Sequence, residues 1–110
     1  MIVVVFEVAL KPGLGQRYFD LAAELRPELD KIDGFISVER FQSMASPGKY
    51  VSLSFWRDEA AVDRWRGHSD HGLAQALGKR EIFADFRISV GQVIRQYSLA
   101  DRVGAAQGHG

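Results

Sequence analysis

The chain has 110 residues, with 14 Lys+Arg against 14 Asp+Glu, 46% hydrophobic and 25% charged residues. That is the composition of one globular domain, and its charge balance leaves no basic footprint for nucleic acid. The absence of cysteine excludes disulfides, thiolate metal sites and thiol nucleophiles. The first apolar stretch, Ile2 to Phe6, is too short for a signal-peptide core or a membrane span. A cytoplasmic protein with no membrane partner is expected.

Ile2 to Leu10 is a β-branched run ended by Lys11-Pro12-Gly13, which predicts a first strand. Leu14, Tyr18, Leu21, Ala22, Leu25, Leu29 and Ile32 then recur at helical spacing and predict an amphipathic helix. Pro27 is expected to kink or restart it, and Asp33-Gly34 to stop it. Phe35 to Met44 and Tyr50 to Trp56 read as two antiparallel strands joined by a hairpin-sized connection. A second helix opens at Arg57-Asp58-Glu59 with Asp58 as its N-cap and breaks at Gly67. A second helical piece, capped by Ser69, carries Leu73, Ala76 and Leu77. Arg87 to Tyr97 reads as the last strand, with Gly91 a possible bulge. Residues 98–110 read as a tail beyond a domain spanning 1–97.

The order β-α-β-β-α-β predicts an α+β, ferredoxin-like fold with a four-stranded antiparallel sheet. A sheet covered on one face alternates apolar and polar residues, yet these strands are apolar on both parities. Ile2, Val4 and Phe6 alternate with Val3 and Val5, while Phe35 and Phe41 share a parity opposite Ile36 and Val38. Two helical segments cover one face. The expected cover for the other is a second copy, giving a homodimer through the helix-free face. Glu7, a carboxylate inside the first strand, is expected to pair with Arg40 or Arg95.

Several junctions carry a resemblance across residues 1–97. They are the first strand with its Pro-Gly turn, Ile32-Asp33-Gly34-Phe35, Trp56-Arg57-Asp58-Glu59-Ala60, His71 fifteen residues after Trp56, and the closing segment with Arg95-Gln96-Tyr97. In these the chain resembles the antibiotic biosynthesis monooxygenase family of dimeric α+β barrels. The resemblance implies a cofactor-independent monooxygenase that oxidises a small aromatic or quinol-like substrate with O₂ in an apolar pocket. Haem is the alternative cofactor it implies. Relatives that degrade haem carry an Asn, a Trp and a His at three positions, which here are Phe6, Trp65 and Gln75. A non-catalytic dimeric ligand binder is the third reading.

Trp65 and His71 are the candidate catalytic residues. Trp65 would donate its indole N–H to substrate oxygen or O₂, and His71 would act as base. The first helical turn after Ser69 favours a neutral imidazole there. The plain alternatives are a core Trp65 and a solvent-facing His71, since the helical wheel sets His71 opposite Leu73 and Leu77. Phe6, Phe41, Gln75 and Phe83 are the candidate substrate-binding residues, with core packing the plain alternative for the phenylalanines. His68 and His71 alone are a weak metal signal, and no metal is expected.

Overall fold

The computed structural model describes residues 1–68 and 81–104, with side chains through Asp101. Its elements are β1 (Ile2–Leu10), α1 (Gly15–Asp30), β2 (Phe35–Gln42), β3 (Lys49–Trp56), α2 (Glu59–Arg66), β4 (Phe83–Gln92) and a short α3 (Leu99–Gly104). The four strands form one antiparallel sheet in the order β2-β3-β1-β4, the ferredoxin-like arrangement that the element order predicts. The expected second helical piece from Ser69 falls outside the described residues. No described helix is long and apolar enough to cross a membrane.

β1 is the most β-branched segment and lies between two partners, β3 and β4. Antiparallel register then sorts the side chains by face. Ile2, Val4, Phe6 and Val8 share a face with Trp56, Ser54, Ser52 and Tyr50 of β3. Their β4 partners are Gln92, Val90, Ile88 and Phe86. α1 and α2 pack on this face. One buried cluster, Ile2, Leu29, Trp56, Ala61 and Val62, fills one end. Val8, Tyr18, Ile82 and Phe83 fill the other. The opposite face carries Val3, Val5 and Glu7 of β1, with Phe55, Leu53 and Val51 of β3.

Pro27 does not break α1, which is continuous to Asp30. The missing N–H orphans only the Ala23 carbonyl, and Ala23 is exposed to water, so a proline this close to the helix end is tolerated. α2 begins as its sequence predicts, with Asp58 Oδ1 accepting from the Ala61 N–H at 2.9 Å. Gly67 is its C-cap.

The closing strand runs Phe83–Gln92, not Arg87 to Tyr97. Its ladder ends at the first residue of β1. Ile2 pairs with Gln92, and the Val93 N–H reaches the Met1 carbonyl at 2.9 Å. Gly91 sits in regular register opposite Val3, and the irregularity lies instead at Ala9/Leu10. A second register shift, between Phe35 and Ser37, overturns the expected parity of β2. It brings Phe35 onto the helix side against Trp56, with ring centroids 5.3 Å apart, and leaves Phe41 behind. In the segment after Ser98, Ser98 and Asp101 exchange cap bonds at 2.8 and 3.3 Å at the start of α3.

The junction between α1 and β2 is fixed to the start of α2. Gly34 has φ +94, and a Cβ there would stand 2.6 Å from the Ala61 Cβ, so only glycine fits. Arg57 donates its N–H to the Gly34 carbonyl at 2.7 Å. Its guanidinium holds both oxygens of Asp33 at 3.1 Å, and Arg64 reaches the Asp33 carbonyl at 2.8 Å. The Arg57 guanidinium holds the Asp33 carboxyl below its usual range.

Candidate functional site

Between its two packed ends the helix-covered face is hollow. Going along β3, the side chains on this face are Tyr50, Ser52, Ser54 and Trp56, large at the ends and small in the middle. Above them α1 contributes Ala22 between Leu21 and Leu25. The result is a cavity of about 870 Å³, within the range of small-molecule sites. Val4 and Phe6 form part of its floor, with Val38 and Arg40 on the β2 side and Ile88 and Val90 on the β4 side. Phe83 and Tyr18 close one end, and Trp56, Val62 and Trp65 the other.

The walls are mostly aromatic and aliphatic. Phe6 meets Phe83 edge-on with centroids 5.7 Å apart, and Phe83 meets Tyr18 edge-on at 6.1 Å. The Trp56 indole donates to Ser54 Oγ at 2.9 Å, so this polar pair is satisfied inside the wall. Arg40 Nε donates to the Tyr18 hydroxyl at 3.1 Å, and its guanidinium lies 5.1 Å from the centre of that ring. Tyr18 is buried while Arg40 is exposed, so the pair runs from the interior of the cavity to its edge.

Arg26 and Arg66 also line the cavity, and no Asp, Glu or His does so among the described residues. Arg26 is held by Asp30 at 3.2 Å and Arg66 by Asp63 at 3.6 Å. His68 stands outside the lining, its ring 5.4 Å from that of Trp65 and its Nε2 3.7 Å from Glu28. No imidazole enters the described lining, and Phe6 packs among aromatic rings.

Of the sequence candidates, Phe6, Trp65 and Phe83 come together around the cavity. Phe41 does not. It pairs with Val51 on the opposite face and is 45% exposed, because the shift after Phe35 sets Val38 and Arg40 inward. His71 and Gln75 lie outside the described residues. Sequence reading missed Tyr18 as a polar member of the site, Arg40, and the two serines. The signal was the small pair Ser52 and Ser54 between Tyr50 and Trp56 at strand period.

Glu7 sits on the helix-free face, where its expected partner Arg40 cannot reach. The register places Arg87 opposite it, with Nε 2.6 Å from the carboxylate, and Lys49 lies 3.4 Å away. Hydrogen bonding from Arg87 lowers the Glu7 pKa.

The profile of a family described as antibiotic biosynthesis monooxygenase matches residues 1–77. A protein named jasmonate monooxygenase ABM, from Pyricularia oryzae, is 44% identical over 93 residues, covering 84% of this chain and 43% of that protein. YqjZ of Bacillus subtilis, uncharacterised, is 29% identical over 63 residues, 57% of this chain and 54% of that one. The chain thus spans about half the length of these curated relatives. Among solved structures, Rv0793 from Mycobacterium tuberculosis superposes with a TM-score of 0.78 at 18% identity, covering 88% of this chain and 98% of that one. A conserved protein from Methanosarcina mazei Go1 gives 0.76 at 23%, covering 83% and 90%. At these identities the structural likeness is one of fold.

Proposed function

Because the chain belongs to the antibiotic biosynthesis monooxygenase family, we propose that it is a cofactor-independent monooxygenase oxidising a small aromatic or quinol-like substrate in this cavity. The observation that carries the reading is the hollow itself, apolar-walled, bounded by Phe6, Phe83 and Trp65, and free of acidic side chains among the described residues. Such chemistry needs a substrate whose carbanion can reduce O₂ by itself. An activated CH₂ loses a proton, the carbanion forms a C–O bond with O₂, and loss of water from the hydroperoxide leaves a carbonyl. The balance is CH₂ + O₂ → C=O + H₂O.

In that sequence the protein excludes water, orients the ring and stabilises the oxyanion that proton loss creates. Trp65 is the donor on the oxygen side and His71 the base. Phe6 and Phe83 grip the flat body of the substrate, and Gln75 completes the substrate contacts. The named activity of the Pyricularia oryzae relative supports the reaction class and makes jasmonate one substrate to try.

We also propose a homodimer through the helix-free face, on which Val3, Val5, Val51, Leu53 and Phe55 form an apolar field. Phe41 belongs to that interface and not to the substrate. The area expected is that of an obligate homodimer, roughly 2,000 Å² or more.

The deciding experiment is oxygen uptake by the purified chain with 1,8-dihydroxyanthrone and, separately, jasmonate. Expected is one O₂ consumed per carbonyl formed with the anthrone, no added metal or cofactor, and a lower kcat in Trp65→Phe. No uptake with either substrate overturns the enzyme reading in favour of a ligand binder. A saturable Soret shift on adding hemin, followed by bleaching with a reductant in air, replaces it with haem degradation.

A further inference from the structure

Arg40 differs from the other arginines around it. Arg17, Arg26, Arg57, Arg64, Arg66 and Arg87 each have a carboxylate within 4 Å. Among the described residues Arg40 has none, and its partner is the neutral phenol of Tyr18. The bond to Tyr18 uses Nε, while the ring stacks beneath the guanidinium. A guanidinium held by Nε still presents Nη1 and Nη2, the two parallel donors that match a carboxylate. Arg40 reaches this position by register. The shift between Phe35 and Ser37 turns a charged residue of β2 toward the helix side, in line with Val38 and opposite Ser52 of β3.

The same lining holds no acid among its described members, and its other two arginines are neutralised by Asp30 and Asp63 on their own helices. One uncompensated positive charge therefore stands at the edge of an apolar hollow. We propose that the cavity takes an amphipathic carboxylic acid, its ring or chain lying between Phe6, Leu25 and Phe83, and its carboxylate held by the Arg40 guanidinium. Tyr18 is the positioning residue. It fixes the guanidinium by hydrogen bond and stacking, so little side-chain freedom is left to lose on binding. This reading rests on the cavity being the substrate site. It adds polarity to that site, since the carboxylate end lies toward β2 and directs the opposite, apolar end away from Arg40.

The test compares 1-naphthaleneacetate with its neutral isostere 1-naphthaleneacetamide by isothermal titration at pH 7.5. The wild-type chain is expected to bind the acid at least tenfold more tightly, which corresponds to about 1.4 kcal/mol. Arg40→Met removes the preference and leaves amide affinity unchanged, which also establishes that the cavity is intact. Arg40→Lys retains part of it, and Tyr18→Phe weakens acid binding while sparing the amide. Equal binding of acid and amide by the wild type, no binding of either, or a preference that survives Arg40→Met and vanishes in Arg26→Met each overturns the proposal. Because the readout is affinity, an acid preference without oxygen uptake keeps the anchor and removes the monooxygenase, and uptake without the preference does the reverse.

Discussion

The two faces of this sheet are cut from the same strands, residue by alternate residue, and solve opposite problems. The helix-covered face places its bulk at the ends, Trp56 against Leu29 and Val62, and Val8 against Tyr18 and Phe83. It leaves serines in the middle, so it holds together around an empty centre. The helix-free face has no such gradient. Val5 and Leu53 stand opposite each other at mid-strand, flanked by Val3 with Phe55 and by Glu7 with Val51, and the surface is level and apolar along these two strands, with Glu39 of β2 beside Leu53 and Ser89 of β4 beside Val5. A graded face makes room for a small molecule, whereas a level one suits a flat, extended contact.

The largest effect is expected from a charge at the centre of the level face. Leu53→Asp places an unpaired carboxylate in the proposed interface, at a cost of several kcal/mol. Sedimentation should show a shift from a dimer to a 12.3 kDa species, or loss of soluble protein. A wild type that already sediments as a monomer breaks the comparison outright.

On the graded face, the ends and the middle should respond differently. Trp56 is 2% exposed in the sealed cluster, so Trp56→Ala should cost about 3–5 kcal/mol in urea unfolding. Trp65 is only partly buried and faces the hollow, so Trp65→Ala should cost about 1–2 kcal/mol, since less surface leaves water and less packing is lost. Equal losses would mean that the cavity wall is ordinary core.

Filling the hollow should harm binding more than folding. Ser52→Leu adds a side chain to the cavity floor without touching the Trp56–Ser54 bond. Affinity for 1-naphthaleneacetate should fall about tenfold, some 1.4 kcal/mol, with the melting temperature nearly unchanged.

The smallest effect is at the charged end of the level face. Glu7 has a folded pKa below its ordinary value of 4.5, chiefly through Arg87. Its contribution is therefore present above pH 4.5 and fades as the pH falls through the lowered folded value. Arg87→Met should flatten that acid limb in urea titrations between pH 5 and 3. Arg87 is 73% exposed, so salt should weaken the effect in the wild type.

The element order was legible in the sequence because each element carries a local signal: the β-branched run of β1, the helical period of α1, the Asp58 cap, and the turn glycines. What the sequence left hidden are the consequences of register. One shift after Phe35 decides that Phe35, Val38 and Arg40 share a face and that Phe41 does not. Phe41 was named for the site by residue type, and without that shift neither its face nor that of Arg40 could be assigned. The end of β4 was hidden for a related reason. Val93 to Tyr97 has strand-like residues, but a strand needs a partner, and the ladder with β1 runs only to the Ile2–Gln92 pair. Trp65, Phe6 and Phe83 were legible as cavity lining because large aromatics at the rim of an apolar stripe are conspicuous by type alone.

The hydrogen bond from the Trp56 indole to Ser54 Oγ gives the chain a built-in pair of optical reporters. One indole is dry, hydrogen-bonded and rigid, so its emission should be blue-shifted and shielded from iodide. The other, Trp65, shares the cavity wall but is partly open to solvent, and should emit to the red and be quenched first. With two tryptophans in the sequence, a ligand entering the hollow should quench or shift the red component well before the blue one moves. Global unfolding should merge the two. Filling of the cavity and collapse of the fold can thus be followed separately in one cuvette, without a label.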